Sequence, residues 1–125
     1  MRILLDTHIL LWQFLNDPRL IQRHRDHISD DANDIFVSDV SFWEIAIKIR
    51  AGKLHLVLED IEVETALLGY RRLAIERRHF SALVLLPKHH RDPFDHMLIA
   101  QANIEEMSFM SSDRWVREYP VNLVR

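Results

Sequence analysis

Arg2-Ile3-Leu4-Leu5-Asp6-Thr7-His8 opens the chain with a short apolar run that stops at a carboxylate. A run of this length with no polar alternation suits a strand buried on both faces, as in a parallel sheet. The residues around it repeat the theme. Thr7 to Leu15 reads as a helix, apolar at Ile9, Leu10, Trp12 and Phe14 and stopped by Asn16-Asp17-Pro18. A second helix is predicted over Leu20 to Ile28, then a polar turn at Asp30 to Asp34 and a second buried strand at Ile35-Phe36-Val37. Ser38 or Asp39 caps the next helix, which runs to about Ala51 and ends at Gly52.

Leu54 to Leu58 has no clear period, and Glu59 to Tyr70 reads as a helix. Leu73-Ala74-Ile75 is predicted as a strand, Glu76 to Leu86 as a helix closed by Pro87, and Asp92 to Glu106 as a helix with Pro93 in its first turn. Ser108 to Met110 follows as a strand ending near Asp113, and Val121 to Val124 as a last edge strand. Strands alternating with helices imply right-handed crossovers and an α/β fold, a central parallel sheet covered on both faces. The chain is read as one domain, residues 1–125. Ligands of such sheets sit beyond the carboxyl ends of the strands, so the residues just after each strand are the ones to examine.

A hydrophobic share of 48% supplies one core without disulfides or a structural metal. There is no cysteine, which rules out disulfides and thiolate zinc sites and suits a reducing compartment. Asp6 interrupts the apolar run after Arg2 too early for a signal peptide, and no stretch is long enough for a membrane span. The chain is therefore expected to be cytoplasmic, with no membrane partner. With only two glycines, neither a dinucleotide fingerprint nor a phosphate-cradling Walker loop exists. No serine sits in a nucleophile elbow.

Asp6 follows the first strand, where it either caps the helix at Thr7 or serves as a ligand. Glu44 lies among Phe42, Trp43, Ile45, Ala46, Ile47 and Ile49, on a helix apolar around most of its circumference, where a lone carboxylate is rare. Two plainer readings compete: a capping box begun by Ser41, and an ion pair with Lys48 one turn on. Asp92 before Pro93 suits an N-cap, which leaves Asp95 as the ligand of that pair. Asp113 either caps a turn before Arg114-Trp115 or joins the others. Carboxylates gathered this closely repel one another and raise each other's pKa, a cost most simply met by a divalent cation. An all-oxygen set suits Mg²⁺ or Mn²⁺, and such ions serve phosphodiester hydrolysis.

The formal net charge of −3 argues against a nucleic-acid partner until the four carboxylates are set aside, which leaves +1. Basic residues cluster at Arg71-Arg72, Arg77-Arg78-His79, Lys88-His89-His90-Arg91, and Arg114 with Arg117, each of them readable as a solvated face.

Three motifs, in order along nearly the whole chain, resemble PIN-domain proteins of the VapC toxin type. They are Leu4-Leu5-Asp6-Thr7-His8, then Trp43-Glu44-Ile45-Ala46-Ile47-Lys48 before Gly52-Lys53-Leu54, then His89-His90-Arg91-Asp92-Pro93-Phe94-Asp95 leading to Leu98-Ile99-Ala100-Gln101-Ala102. The resemblance implies a three-layer α/β/α fold, an Mg²⁺ or Mn²⁺ site and endoribonuclease action on single-stranded RNA. It further implies a co-expressed antitoxin and a homodimer. By motif position the catalytic acids are Asp6, Glu44, Asp95 and Asp113, with Asp6, Asp95 and Asp113 on the metal. Thr7, Asp92, Ser111, Arg91 and His96 fall where supporting or substrate-contacting residues lie. His96 stands where the family often has Arg, Glu105-Glu106 where Glu-Gly is usual, and Ser112 where a basic residue is frequent.

The remaining features are assigned to packing. His8 could touch substrate but is read as packed behind the first strand, His89 and His90 as a solvated loop rather than one near bound RNA, and Trp12, Trp43 and Trp115 as core or dimer contacts rather than base-stacking groups. Leu11, Trp12, Leu15, Phe42, Trp43 and Ile47 are more apolar surface than one domain readily buries, which marks an interface. Two other functions compete with the nuclease. One is an idle PIN-like module that binds RNA or protein. The other is a phosphatase or phospho-acceptor built on Asp6, disfavoured because His8 stands where a second aspartate is usual and leucines precede Asp6.

Overall fold

The computed structural model describes residues 1–125. Strands β1 (Arg2–Leu5), β2 (Asp34–Ser38), β3 (Arg71–Leu73) and β4 (Ser108–Met110) form one sheet in the order β3-β2-β1-β4, every pair parallel. The register sets Ile3 opposite Ile35 and Ser108, and Phe36 opposite Arg71. Helices α1 (Thr7–Phe14), α2 (Gln22–Ser29), α3 (Asp39–Arg50), α4 (Leu58–Leu67), α5 (Arg77–Val84) and α6 (Pro93–Ile104) fill the crossovers, with a short 3-10 helix at Arg114–Glu118.

Successive residues of β1 go to opposite cores. Ile3 and Leu5 join Ile9 and Leu10 of α1, Ile45 of α3 and Ile61 of α4 on one face. Leu4 joins Phe36, Leu98, Ile99 and Ala102 on the other, under α6. That is the three-layer α/β/α arrangement, and it explains why β1 carries no polar alternation. No helix is long and apolar enough to cross a membrane.

Several boundaries differ from the sequence expectation. The third strand is Arg71–Leu73 rather than Leu73–Ile75. Its exposed arginines are tolerated at a sheet edge because Arg72 forms a two-pronged pair with Asp39 (2.8 and 2.7 Å). Helix α4 stops at Leu67 instead of continuing to Tyr70, because Gly69 takes a left-handed φ of 76° and ends it. Val121–Val124 makes no strand. It touches β4 through a single bridge, Phe109 to Leu123. Ser38, not Asp39, caps α3 by accepting from the Val40 N–H (3.0 Å). Ser41 therefore lies inside that helix, and no capping box joins it to Glu44. At the end of α6, Glu106 takes φ 56° where a glycine would relax.

Candidate active site

Asp6, Asp95 and Asp113 all lie beyond the carboxyl end of the sheet, and each is placed by a helix start. Asp6 ends β1 and caps α1, its Oδ1 accepting from the Thr7 N–H at 2.7 Å. Its Oδ2 accepts from the Ser111 hydroxyl at 2.6 Å. Ser111 in turn accepts from the Asp113 N–H at 3.0 Å, so one hydroxyl ties together acids 107 residues apart. Asp113 caps the 3-10 helix through Trp115 N–H at 2.9 Å. Asp92 caps α6, accepting from the N–H groups of Phe94 and Asp95 at 2.9 and 3.2 Å. That frees Asp95, buried in the first turn of α6, to face the other acids.

Glu44 reaches the same region from α3 and is buried. One oxygen pairs with Lys48 at 2.9 Å, while Oε1 has no hydrogen-bond partner at all. A buried carboxylate oxygen left bare costs roughly 1–3 kcal/mol or more unless something outside the chain meets it. The electrostatics agree. Burial, then the charges of Asp6, Asp92, Asp113 and Glu44, push the Asp95 carboxyl up to about 9. Burial also raises Asp6, with His8, Ser111 and Thr7 pulling it back down and Glu44 adding to the rise. An orphaned carboxylate oxygen among crowded acids is a donor set that fits a divalent cation.

The supporting residues sort unevenly. The Thr7 hydroxyl turns away to donate to Ser41 at 3.0 Å, so Thr7 serves Asp6 through its backbone. Arg91 is exposed and makes no ion pair. His96 sits against the Tyr119 hydroxyl at 3.0 Å, and burial followed by the neighbouring His90 lowers its pKa, so it is not a ready cation for phosphate.

Two histidines belong to the site against expectation. His8 is not packed away: its Nδ1 lies 3.4 Å from Asp6 Oδ2, and its Nε2 accepts from the Ser112 N–H and hydroxyl (3.1 and 2.8 Å). That arrangement leaves the ring proton on Nδ1, facing Asp6. His90 is not in a solvated loop: its Nε2 lies 3.1 Å from Asp95 Oδ2, and its Nδ1 lies 2.8 Å from the Tyr119 hydroxyl. His79, grouped with a basic surface cluster by sequence, is fully buried and pairs with Glu105 at 2.8 Å.

Beside Ser111 and Ser112 opens a cleft of about 770 Å³ lined by Arg23, His24, Arg117 and Arg125. The apolar surface is also redistributed. Leu11 belongs to the core, while Trp43 and Leu15 are exposed, and further exposed groups lie on α4 (Val63, Leu67) and α5 (Phe80, Val84).

The family model for the PIN domain matches residues 3–121. The chain belongs to the PIN-domain family. No curated protein matches it. Among solved structures this PIN domain is similar to a chain of VapBC2 from Rickettsia felis bound to a DNA fragment from their promoter. There the TM-score is 0.70 at 13% identity, over 100% of this chain and 98% of that one. It is similar to FitAcB from Neisseria gonorrhoeae, with TM-score 0.68 and 16% identity over 98% and 96% of the two chains. A toxin–antitoxin complex from Klebsiella pneumoniae gives TM-score 0.64 and 16% identity over the same shares. At such identities the likeness is one of fold, and it agrees with the three layers described above.

Proposed function

We propose that this PIN domain is a divalent-cation-dependent endoribonuclease, with Asp6, Glu44, Asp95 and Asp113 as its catalytic acids. The bare, buried Oε1 of Glu44 beside the Asp95 carboxyl is the observation that carries this reading. Asp6, Asp95 and Asp113 would hold Mg²⁺ or Mn²⁺. When bound, such an ion activates water and neutralises charge on the scissile phosphate. The chain's own part is positional. Ser111 and the Thr7 N–H fix both oxygens of Asp6. Asp92 holds the first turn of α6 so that Asp95 is presented rather than spent as a cap. Glu44, anchored through Lys48, keeps one oxygen free to orient the attacking water.

The substrate reading rests on charge. The arginine-lined cleft adjoins the acids through Ser111 and offers cations to a phosphodiester backbone, which offsets the net charge of −3. The two solved relatives that are toxin–antitoxin or VapBC assemblies support a further reading: this domain is the cytoplasmic toxin of such a pair. Exposed Trp43 and Leu15 and the α4 and α5 groups supply apolar surface for a homodimer and an antitoxin. A basic antitoxin side chain laid among the carboxylates would inhibit by replacing the cation's charge. The test is incubation of the purified protein with total RNA. Fragments in Mg²⁺ or Mn²⁺ and none in EDTA support the reading. Intact RNA under every cation condition overturns it.

A further inference from the structure

We propose that His90 is a nitrogen ligand of the bound cation, alongside Asp95 and Asp113, and that it makes the site select a first-row transition ion such as Mn²⁺ over Mg²⁺. The inference rests on the cation site proposed above and changes its composition.

Ligand atoms of His90, Asp95 and Asp113 lie within 4.8 Å of one another, close enough for one ion to meet all three. His90 is positioned as ligating histidines are. Its side chain is only 10% exposed, and its ring lies parallel to Trp115 and edge-on to His96 at 4.7 Å. A metal-binding imidazole is ordinarily held through its second nitrogen. Here Tyr119 does this, its hydroxyl 2.8 Å from His90 Nδ1.

The same hydroxyl also bears on which tautomer His90 adopts. Tyr119 has one proton to give, and His96 Nε2 at 3.0 Å competes for it with His90 Nδ1. When the proton goes to His96, His90 carries its own proton on Nδ1 and donates it to the Tyr119 oxygen. His90 Nε2 is then a bare lone pair beside Asp95, the form a cation requires. The His89 and His90 backbone N–H groups, 2.8 and 3.2 Å from the same oxygen, anchor the hydroxyl and the loop. Arginine at position 96 would accept no proton from Tyr119, so this arrangement depends on His96.

The other histidine–acid cluster, Glu76-His79-Glu105, lacks these properties. His79 Nδ1 accepts from the Glu76 N–H at 2.9 Å, its Nε2 faces Glu105 at 2.8 Å, and Arg78 already pairs with both acids. Both ring nitrogens of His79 are already engaged. The bare Glu44 Oε1, on a carboxylate whose charge reaches Asp95, is a separate observation that fits a cation in the region of the first cluster. An imidazole in the set turns an all-oxygen site into a mixed nitrogen and oxygen one, which Mg²⁺ disfavours and transition ions accept.

The test is pulsed electron paramagnetic resonance of Mn²⁺ bound to the full chain, read for coupling to a directly bound ¹⁴N. Calorimetric affinities for Mn²⁺ and Mg²⁺ accompany it. Because His8 also touches an acid, His8→Gln is compared with His90→Gln, and His90→Asn is carried in parallel in case one substitution prevents folding. The expected result is nitrogen coupling in the parent and in His8→Gln, and none in the His90 variants. Their Mn²⁺ affinity should fall by at least ~10-fold while Mg²⁺ affinity changes less. Bound Mn²⁺ without nitrogen coupling, or coupling that survives the loss of His90, overturns the inference and leaves the carboxylate site standing. Absence of stoichiometric Mn²⁺ binding overturns the cation site itself.

Discussion

Replacing Asp95 by asparagine should stabilise the cation-free protein, and the effect should grow with pH. The Asp95 carboxyl ordinarily titrates near 3.8, and in the fold it is pushed up to about 9 by burial and then by Asp6, Asp92, Asp113 and Glu44. A carboxyl whose folded pKa lies above its unfolded one favours the fold fully below the unfolded value. That stability is lost as pH rises through the window from about 4 to about 9. Between 3.8 and neutrality lie about three pH units, each worth about 1.4 kcal/mol, so the carboxyl costs the fold on the order of 4 kcal/mol at pH 7. Asparagine keeps the volume and cannot ionise. Thermal melts in EDTA at pH 4, 7 and 8.5 should place Asp95→Asn on the order of 2–4 kcal/mol above the parent at the two higher values. For a chain of this size that is roughly 8–15 °C. The gap should close at pH 4 and shrink when Mn²⁺ is added to the parent. A variant that melts at or below the parent at pH 8.5, or a gap unchanged at pH 4, refutes the crowded-acid account.

Asp92→Asn, which still accepts from the Phe94 N–H, should keep most RNA cleavage, whereas Asp95→Asn should lose it; Asp92→Ala should cost about 0.5–2 kcal/mol in denaturant melts. Glu106→Gly should raise stability by about 1 kcal/mol, because a left-handed φ of 56° strains a residue with a Cβ; an unchanged urea midpoint would contradict this. Arg23→Ala with Arg117→Ala, in an Asp6→Asn background that binds without cutting, should weaken RNA binding. The double substitution should flatten the plot of log affinity against log salt by about 0.7 per arginine.

The sheet could be read from residues because burial on both faces removes polar alternation, as in Ile3-Leu4-Leu5 and Ile35-Phe36-Val37. Asp92 and Asp95 could be separated by capping rules alone. Edges resisted. Arg71-Arg72 joins the sheet only through partners on Asp39 and the neighbouring strand, a tertiary effect that local propensity does not carry. The roles of His8 and His90 were hidden for a related reason. A side chain in a loop has no periodicity, and its address is set by what the fold brings to it: Ser112 for His8, and Tyr119, 29 residues away, for His90.

The most direct measurement is the rate of RNA cleavage by parent and Asp6→Asn at saturating Mg²⁺ or Mn²⁺, both shown to be folded by circular dichroism. Asp6 is buried, held on both oxygens, and tied through Ser111 to Asp113. The account predicts that asparagine there preserves the fold and lowers the rate by several orders of magnitude. Equal rates for the two proteins, or parent activity undiminished in EDTA, would contradict it.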